Sequence, residues 1–350
     1  MRVRVGINGF GRIGRALFRI ARQDDRFDVV ALNDVDPNVE NHAYLAKFDS
    51  HYGRLGEEVS GSTGEKCLRI GGRTIPFHAA ADIADVPWQA HEVDVVIDAS
   101  GIQTNLASAR ALIDAQRVPK VVVTNAPAAG TDATVVFGVN EHTYDPARHH
   151  VVSASICDVM SSAVVLGILD KRCGIRSGFI TTMHPWLSYQ NLLDGSVKSV
   201  TNPGHYWDDF ALGRASNVNL IPKKTTLVPA LSKVLPNIAE KIMAMSFRVP
   251  TASVTVSDVV LELASPMTAE EVNALLQDHA GSMPRVLGYQ EEQRVSSDFM
   301  GIEQSVFVDG RWTAVNNEGR TLRLVLWYDN EWGYSQRVAD LAVLMGKRHA

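Results

Sequence analysis

The fold of the N-terminal part of the chain is decided by residues 3–14, VRVGINGFGRIG. The apolar run Val3 to Ile7 predicts a buried strand, and an apolar helical stretch follows from Ile13 to Ala21. Between them lies the run Gly9-Phe10-Gly11-Arg12-Ile13-Gly14. Glycines in this position permit a tight turn and a close approach of the backbone to a ligand. The helix N-terminus then faces the pyrophosphate of a dinucleotide, which makes the glycines of this run candidate cofactor-binding residues.

A second predicted strand, Val29 to Leu32, leads into Asp34, about twenty residues after the last glycine of the run. A carboxylate at this position accepts hydrogen bonds from the hydroxyls of an adenosine ribose and repels a 2′-phosphate. We therefore expect NAD as the cofactor rather than NADP. The alternative is a glycine-rich turn whose aspartate caps a helix without any ligand.

Apolar runs alternate with helical stretches up to about residue 150, which predicts parallel strands joined by crossover helices. The further elements expected in this part are the strands Val93 to Ile97, Val121 to Thr124 and Val135 to Val139 and the helix Leu106 to Gln116. Later in the chain the apolar residues alternate in longer runs, such as Phe247 to Leu263 and Thr321 to Tyr328, with helices near 158–171 and 267–278.

These patterns predict an α/β protein of two domains. Residues 1–154 are expected to form a Rossmann-type dinucleotide-binding domain, completed by a C-terminal helix within residues 334–350. Residues 155–333 are expected to form an α+β catalytic domain with a mixed sheet and with helices on one face.

The composition is that of a globular chain large enough for two domains, with 350 residues of which 45% are hydrophobic and 21% charged. The formal charge of −5 gives no broad basic surface, so we expect a small-molecule partner and neither nucleic acid nor a membrane. Cys67, Cys157 and Cys173 lack the paired spacing of a zinc site or a disulfide scaffold. No metal is therefore expected, and the reducing cytoplasm is the expected location.

A cysteine and a histidine are the candidate catalytic residues. Cys157 precedes the apolar helical segment Val159 to Leu169, which places the thiol near a helix N-terminus, where the helix dipole stabilises a thiolate. His184 ends the apolar strand Thr181-Thr182-Met183-His184 and can accept the proton of the adduct that a thiol forms with an aldehyde. A cysteine that only packs and a structural histidine at a strand end are the alternatives.

These residues and further motifs give the chain a resemblance to the glyceraldehyde-3-phosphate dehydrogenase family over nearly its whole length. The motifs follow one another with family-like spacing: Gly6 to Arg15, Asn33-Asp34, Phe48-Asp49-Ser50, Val95 to Gly101, Ala126-Pro127, Thr181 to His184, Phe247 to Pro250 and Trp327 to Ser335. The resemblance implies an NAD-dependent aldehyde dehydrogenase, usually a homotetramer. In that family a cysteine attacks the aldehyde, the adduct is oxidised to a thioester, and inorganic phosphate takes over the acyl group.

The resemblance also implies roles for individual residues. Cys157 matches the nucleophile, and His184 matches the base that also steadies the developing oxyanion. The other matching positions are Arg12 and Ile13 at the pyrophosphate, Asn125 and Asn330 at the nicotinamide, and Arg248 at the phosphate of the substrate.

The chain departs from the family pattern beside the cysteine. Asp158 and Ile156 stand where the family has a threonine and a serine, whose hydroxyls help to hold the attacking phosphate. The Asp158 charge repels a phosphate ion and opposes thiolate formation. We therefore expect inorganic phosphate to be a poor acyl acceptor and the pKa of Cys157 to be higher than in relatives. Neutralisation of Asp158 by Lys223 or Lys224 is the alternative.

Other departures lie in the residues around the substrate and the cofactor. The run Lys223-Lys224-Thr225-Thr226 replaces Thr-Ser-Thr-Gly, so Lys223, Lys224 and Thr225 join Asp158 as candidate substrate-binding residues, with solvated surface lysines as the alternative. Leu187 replaces a threonine that contacts the substrate, and Ala81 replaces an arginine that contacts the cofactor. The loop 186–213 is longer than usual, and the excess includes Pro203, His205, Tyr206 and Trp207.

The leading hypothesis is NAD-dependent oxidation of a small anionic aldehyde, such as glyceraldehyde 3-phosphate, through a thiohemiacetal and a thioester. A second hypothesis is a non-phosphorylating member of the family that uses another aldehyde or acyl acceptor. A third is a paralogue that binds NAD as a regulatory protein without turnover. Retention of Cys157, His184 and Asn330 argues against the third, because a binding module needs no nucleophile. The residues leave the identity of the aldehyde and of the acyl acceptor open.

Overall fold

The computed structural model describes residues 2–127, 129–188, 190–196 and 209–347. The chain divides into two compact units, one formed by residues 1–156 with 334–350 and the other by residues 157–333. The boundary expected from the sequence lay between residues 154 and 155.

The first unit has the expected Rossmann-type architecture of strands and crossover helices. Its strands are β1 Val3–Asn8, β2 Phe27–Asn33, β3 Phe48–Asp49, β4 Gly53–Arg54, β5 Val59–Ser62, β6 Cys67–Ile70, β7 Arg73–His78, β8 Val95–Asp98, β9 Lys120–Val123, β10 Ala133–Thr134 and β11 Val151–Ser153. Its first helices are α1 Arg12–Ile20, α2 Val39–Lys47 and α3 Asn105–Asp114, and short 3-10 helices occur at Ile83–Asp85, Trp88–His91 and Glu141–Thr143.

Nine of these strands form one sheet in the order β10-β11-β9-β8-β1-β2-β7-β6-β5. The central strand β1 is parallel to β2 and β8, and all its residues except Arg4 are buried, as expected for a strand covered on both faces. At its carboxyl end, Asn8 donates to Asp98 on β8 over 2.8 Å and accepts from Asn33 on β2 over 2.7 Å. This buried polar chain ties together three strand ends where the glycine-rich turn begins.

Two details of this unit differ from the expectation. The predicted strand Val135 to Val139 does not form, because the Asn140 side chain bonds to the backbone of Val136 and Thr134 and Gly138 has φ +82, which turns the chain. The strand here is the two-residue β10. The sheet is also not wholly parallel, because β5, β6 and β7 are joined as antiparallel neighbours.

The second unit contains the expected mixed sheet. Its helices are α4 Cys157–Cys173, α5 Leu227–Leu231, α6 Pro236–Ala239 and α7 Ala269–Ser282, with 3-10 turns at Phe210–Gly213, Ser296–Phe299 and Gly310–Trp312. Its strands are β12 Ile175–Pro185, β13 Ile221–Lys223, β14 Ile242–Val249, β15 Thr255–Leu263, β16 Leu287–Gln290, β17 Val306–Asp309, β18 Ala314–Asn316 and β19 Thr321–Tyr328. The last helix, α8 Trp332–Gly346, belongs to the first unit from Tyr334 onward.

The strand β12 is central to this second sheet, whose order is β13-β14-β12-β15-β19-β17-β16 with β18 on β19. It runs parallel to β14 and antiparallel to β15. The single run expected from Phe247 to Leu263 is therefore wrong, since it is divided between these two strands. Pro250, which lacks an N–H, and Val254, with φ +70, lie in the segment that separates them.

Helices pack against this sheet, and some of its apolar side chains are exposed. α4 packs against β12, β17 and β19, while Phe179, Met243 and Met245 on β12 and β14 are exposed. Within the described part of the chain, every helix is too short or too polar to cross a membrane.

Candidate active site

The thiol of Cys157 lies at the start of a helix, as the sequence predicts. Cys157 is the first residue of the 17-residue helix α4 and is partly buried. Two residues earlier, Ser155 is buried in the left-handed region with φ +61. The carbonyl oxygen of Ser155 accepts a hydrogen bond of 3.0 Å from the hydroxyl of Tyr334, which holds this turn in the first unit. The turn thereby fixes where the helix begins.

Both ring nitrogens of His184 have hydrogen-bond partners. His184 is the penultimate residue of β12 and is 6% exposed. Its Nδ1 lies 2.9 Å from the hydroxyl of Thr255 on the neighbouring strand β15. Its Nε2 lies 2.5 Å from Oδ1 of Asp158. Because an ionised carboxylate can only accept, Nε2 carries a proton in this pair.

Asp158 is the centre of the site and has three neighbours. Besides His184, the hydroxyl of Tyr328 donates to Oδ1 over 2.8 Å, and Sγ of Cys157 lies 3.7 Å from the same oxygen. Burial alone would raise the pKa of Asp158, but His184 and the Tyr328 hydroxyl outweigh burial and lower it to about 2. Asp158 is therefore a buried carboxylate ion at neutral pH.

This charge acts on the neighbouring thiol. Burial raises the pKa of Cys157 well above its usual range, and the Asp158 carboxylate raises it further, while the positive charge of Arg248 lowers it. The direction agrees with the expectation from the sequence, where the aspartate beside the cysteine opposes the helix dipole. Cys157 is thus a protonated thiol at neutral pH in the absence of substrate.

Two cations lie around these groups. Arg248 on β14 is the parallel neighbour of His184 on β12, is 8% exposed, and donates to the carbonyl of Pro185 over 3.3 Å. Lys223, the last residue of β13, is half-buried. Burial and the positive charge of Arg248 lower its pKa, while the negative charge of Asp158 raises it. The structure therefore brings Arg248 and Lys223 together with the thiol and the carboxylate.

The other two residues of the substituted loop have different surroundings. Lys224 is exposed, which fits the alternative of a solvated surface lysine. Thr225 is half-buried, and its hydroxyl oxygen accepts from the backbone N–H of Leu227 over 3.1 Å, so its proton is available for a further bond. The loop residues Pro203, His205, Tyr206 and Trp207 lie outside the described residues.

Tyr328 and Thr255 were missed as site residues in the sequence. Burial raises the pKa of Tyr328 well above its usual range, as do the nearby Asp158 and Cys157, so the hydroxyl stays a donor. A signal for Tyr328 was present, since it lies in the Trp327 to Ser335 motif and on the buried face of β19. No local signal marks Thr255, because only strand pairing places it next to His184.

Cys157, Asp158 and His184 also have the side chains of a metal site. Their ligand atoms all lie within 4.8 Å of one another. Arg248 and Lys223 act electrostatically on the same groups and oppose the binding of a further cation. The geometry is therefore better suited to acid–base chemistry beside a thiol.

The glycine-rich turn in the first unit has the shape that a dinucleotide requires. A Cβ on Gly14 would lie 2.1 Å from the carbonyl oxygen of Gly9, so this position demands glycine. A Cβ on Gly11 would meet nothing within 4 Å, and Gly11 caps α1 without any side-chain hydrogen bond. The start of this nine-residue helix thus has no capping side chain and has open space beside Gly11, as a pyrophosphate site requires. Asp34 stands beside this turn, because its Oδ2 accepts from the N–H of Phe10 over 2.7 Å.

The remaining candidate cofactor-binding residues differ in their hydrogen-bond partners and burial. Arg12 is paired with Asp49 over 2.5 Å and with Nδ1 of His51 over 3.0 Å, and Ile13 is half-buried at the start of α1. In the first unit, Asn125 lines a small cavity between β8, β9 and α3. In the second unit, Oδ1 of Asn330 is buried and has no hydrogen-bond partner among the described residues.

Comparison with known proteins gives matches over both units. The protein-family model for the "Glyceraldehyde 3-phosphate dehydrogenase, NAD binding domain" matches residues 3–106. The family model for the "Glyceraldehyde 3-phosphate dehydrogenase, C-terminal domain" matches residues 156–330. The chain is 40% identical over 350 residues to glyceraldehyde-3-phosphate dehydrogenase 1 of Bacillus subtilis, covering 99% of each chain. It is 39% identical over 351 residues to glyceraldehyde-3-phosphate dehydrogenase of Streptomyces coelicolor, covering 99% of this chain and 100% of the relative.

Proposed function

The chain belongs to the glyceraldehyde-3-phosphate dehydrogenase family, and on this premise we propose that it oxidises a small anionic aldehyde, such as glyceraldehyde 3-phosphate, through a thioester on Cys157. Membership makes it an NAD-dependent oxidoreductase. The observation that carries the proposal is the cluster of Cys157, Asp158 and His184, whose reactive atoms lie within 4.8 Å of one another. A regulatory protein that only binds NAD needs no such cluster.

The first step is addition of the thiol to the aldehyde. The C–S bond forms between Sγ of Cys157 and the carbonyl carbon as the carbonyl π bond breaks, and the pair of His184 and Asp158 passes the thiol proton on to the carbonyl oxygen, which becomes the hydroxyl of the thiohemiacetal. The hydroxyl of Thr255 can either donate to or accept from Nδ1 of His184, so the ring can hold one proton or two. The same pair accepts the hydroxyl proton of the thiohemiacetal when the thioester forms, which is the role of a general base.

The anionic end of the substrate is assigned to Arg248 and Lys223. The Arg248 guanidinium on β14 is buried beside His184. Lys223 is half-buried on β13, the strand that pairs with β14. Neither cation forms an ion pair with a carboxylate among the described residues, and a shielded cation of this kind favours binding of an anion. Thr225 adds a hydroxyl donor, whereas the exposed Lys224 contributes long-range charge only.

The residues fit NAD as the cofactor. Gly9, Gly11, Gly14 and the amides at the start of α1 would hold the pyrophosphate, with Arg12 and Ile13 at its edge, and Asp34 would bind the adenosine ribose. Asn125 is assigned to the nicotinamide, and so, separately, is Asn330, whose buried Oδ1 has no partner among the described residues and can accept from a carboxamide. NAD, when bound, supplies the acceptor for two electrons and a proton from the aldehyde carbon.

We also propose that the protein forms a homotetramer and that it is located in the cytoplasm. The second sheet exposes Phe179, Met243 and Met245, with exposed fractions of 58%, 65% and 42%, and Phe179 and Met243 are directly paired across β12 and β14. An uncovered apolar sheet face of this kind is typical of an interface between subunits. The three cysteines are free thiols, which suits a reducing compartment.

The proposal is tested by following NADH formation from phosphorylated, carboxylated and neutral aldehydes with the intact protein and with Cys157→Ser. We expect an anionic aldehyde to be the best substrate and the variant to be inactive while it still binds NAD, because the dinucleotide residues lie elsewhere in the chain. Cys173→Ser is the matched control, since Cys173 ends the same helix and its Sγ bonds only to the carbonyl of Leu169 among the described residues. Full activity of Cys157→Ser, or a neutral aldehyde as the best substrate, would contradict the proposal.

A further inference from the structure

We propose that Asp158 makes water, rather than inorganic phosphate, the acceptor of the acyl group, so that the product is a free carboxylic acid. This inference rests on the proposed function, because it requires a thioester on Cys157. It concerns only the nucleophile that attacks this thioester.

The position of the carboxylate decides which nucleophile can approach. Oδ1 of Asp158 lies 3.7 Å from Sγ of Cys157, to which the acyl carbon would be bonded. Asp158 is 6% exposed, and its Oδ1 is bonded to both His184 and Tyr328, so it does not turn away into solvent. Any nucleophile that reaches the acyl carbon from this side therefore meets a fixed negative charge.

A phosphate ion is poorly suited to this position. It is an anion with acceptor oxygens, whereas the ionised Asp158 is itself an acceptor and Ile156 has no hydrogen-bonding group in its side chain. The side chains of the residue that precedes the nucleophile and of the one that follows it thus provide no donor for phosphate. Repulsion between like charges is strong in a partly desolvated site.

The nearby cations do not remove this obstacle. Among the described residues there is no ion pair between Lys223 and Asp158, and the bonds of Asp158 Oδ1 are made to His184, Tyr328 and the thiol. Arg248 and Lys223 are assigned to the anionic end of the aldehyde, which remains bound while the thioester exists. A second anion would have to share these two cations with the first.

Water meets the requirements of the site. It is neutral, and it can donate a proton to the pair of His184 and Asp158. The water oxygen forms a bond to the acyl carbon and gives one proton to this pair, the C–S bond then breaks, and the thiolate takes that proton back to restore Cys157. The thioester and water are thus converted to a carboxylic acid and a thiol, without any further reactant.

The test identifies the product of the intact protein with NAD and the best anionic aldehyde, with and without radiolabelled inorganic phosphate. We expect steady NADH formation without phosphate, no increase when phosphate is added, and an acid that carries no label. In Asp158→Thr, which restores the hydroxyl found in the family, label should enter the product as acyl phosphate, with kcat/KM for phosphate raised at least about tenfold. Asp158→Asn, which keeps the shape of the side chain, should also form labelled acyl phosphate and have a raised kcat/KM for phosphate.

The matched control is Asp170→Asn, because Asp170 is a partly exposed carboxylate near the other end of α4. It should leave the product unchanged. Labelled acyl phosphate as the main product of the unaltered protein, with saturable dependence on phosphate, would overturn the inference while leaving the proposed function intact. An acid as the only product of both Asp158 variants would overturn it as well. Absence of NADH formation from every aldehyde would overturn the proposed function, and the inference with it.

Discussion

Replacement of Asp158 by asparagine should make Cys157 more reactive toward alkylating agents at neutral pH. The amide keeps the size of the side chain, and its oxygen can still accept hydrogen bonds from His184 and Tyr328, so the main change is the loss of one negative charge. Burial and this charge both raise the pKa of Cys157, and only the charge is removed by the substitution.

The size of the effect follows from the distance. Sγ of Cys157 and Oδ1 of Asp158 are 3.7 Å apart. Two like unit charges about 4 Å apart repel by about 1 kcal/mol in bulk water and about 4 kcal/mol at an effective dielectric constant of about 20. The smaller figure corresponds to about a fivefold change in an equilibrium constant. Because the thiolate is the reacting species, the alkylation rate in Asp158→Asn should rise at least about fivefold.

The measurement is the rate of iodoacetamide alkylation of the Cys157 peptide across a pH series, followed by mass spectrometry so that Cys67 and Cys173 are counted separately. The Asp170→Asn variant serves as the control and should react like the unaltered protein. An equal or slower rate in Asp158→Asn at every pH would refute the electrostatic reasoning, because the carboxylate would then not oppose thiolate formation.

Three further predictions concern other parts of the chain and the acid stability. Asp34→Gly should narrow the preference for NAD over NADP in initial rates at subsaturating cofactor, and a native preference for NADP would show that Asp34 does not bind the ribose. Lys223→Ala should raise KM for a phosphorylated aldehyde more than Lys224→Ala does, since only Lys223 is half-buried beside Arg248, and equal effects would count against that assignment. The pKa of Asp158 is about 2 in the folded state, against the usual 3.8. This difference stabilises the folded state at every pH above 3.8, and the stability is lost as the pH falls from 3.8 through the folded pKa. The free energy of unfolding should therefore fall more steeply between about pH 4 and pH 2 in the unaltered protein than in Asp158→Asn, and parallel curves in denaturant titrations would contradict this.

Structural features that depend only on residues close together along the chain could be predicted from the sequence alone. The strand–glycine–helix series at Val3 to Ala21, the strand Thr321 to Tyr328 and the start of a helix at Cys157 are read from periodicity and from the conformational needs of glycine, which are local properties. Local apolarity misled where a side chain redirected the backbone. The run Val135 to Val139 has a strand-like composition, but the bonds of Asn140 and the conformation of Gly138 make it a turn.

The chemistry of the site was decided by the tertiary structure. Asp158 and His184 are 26 residues apart, and Asp158 and Tyr328 are 170 residues apart, so no local pattern shows that one carboxylate binds both. The sequence alone indicated that an aspartate replaces a hydroxyl beside the nucleophile. The pairing of β12 with β14 and β15, and the packing of α4 on the sheet, bring this aspartate to the histidine, and this contact lowers the pKa of Asp158 although burial opposes it. The same packing buries Cys157 beside the carboxylate, and both effects keep the thiol protonated. Burial and distance set the strength of a charge, and both are properties of the folded chain.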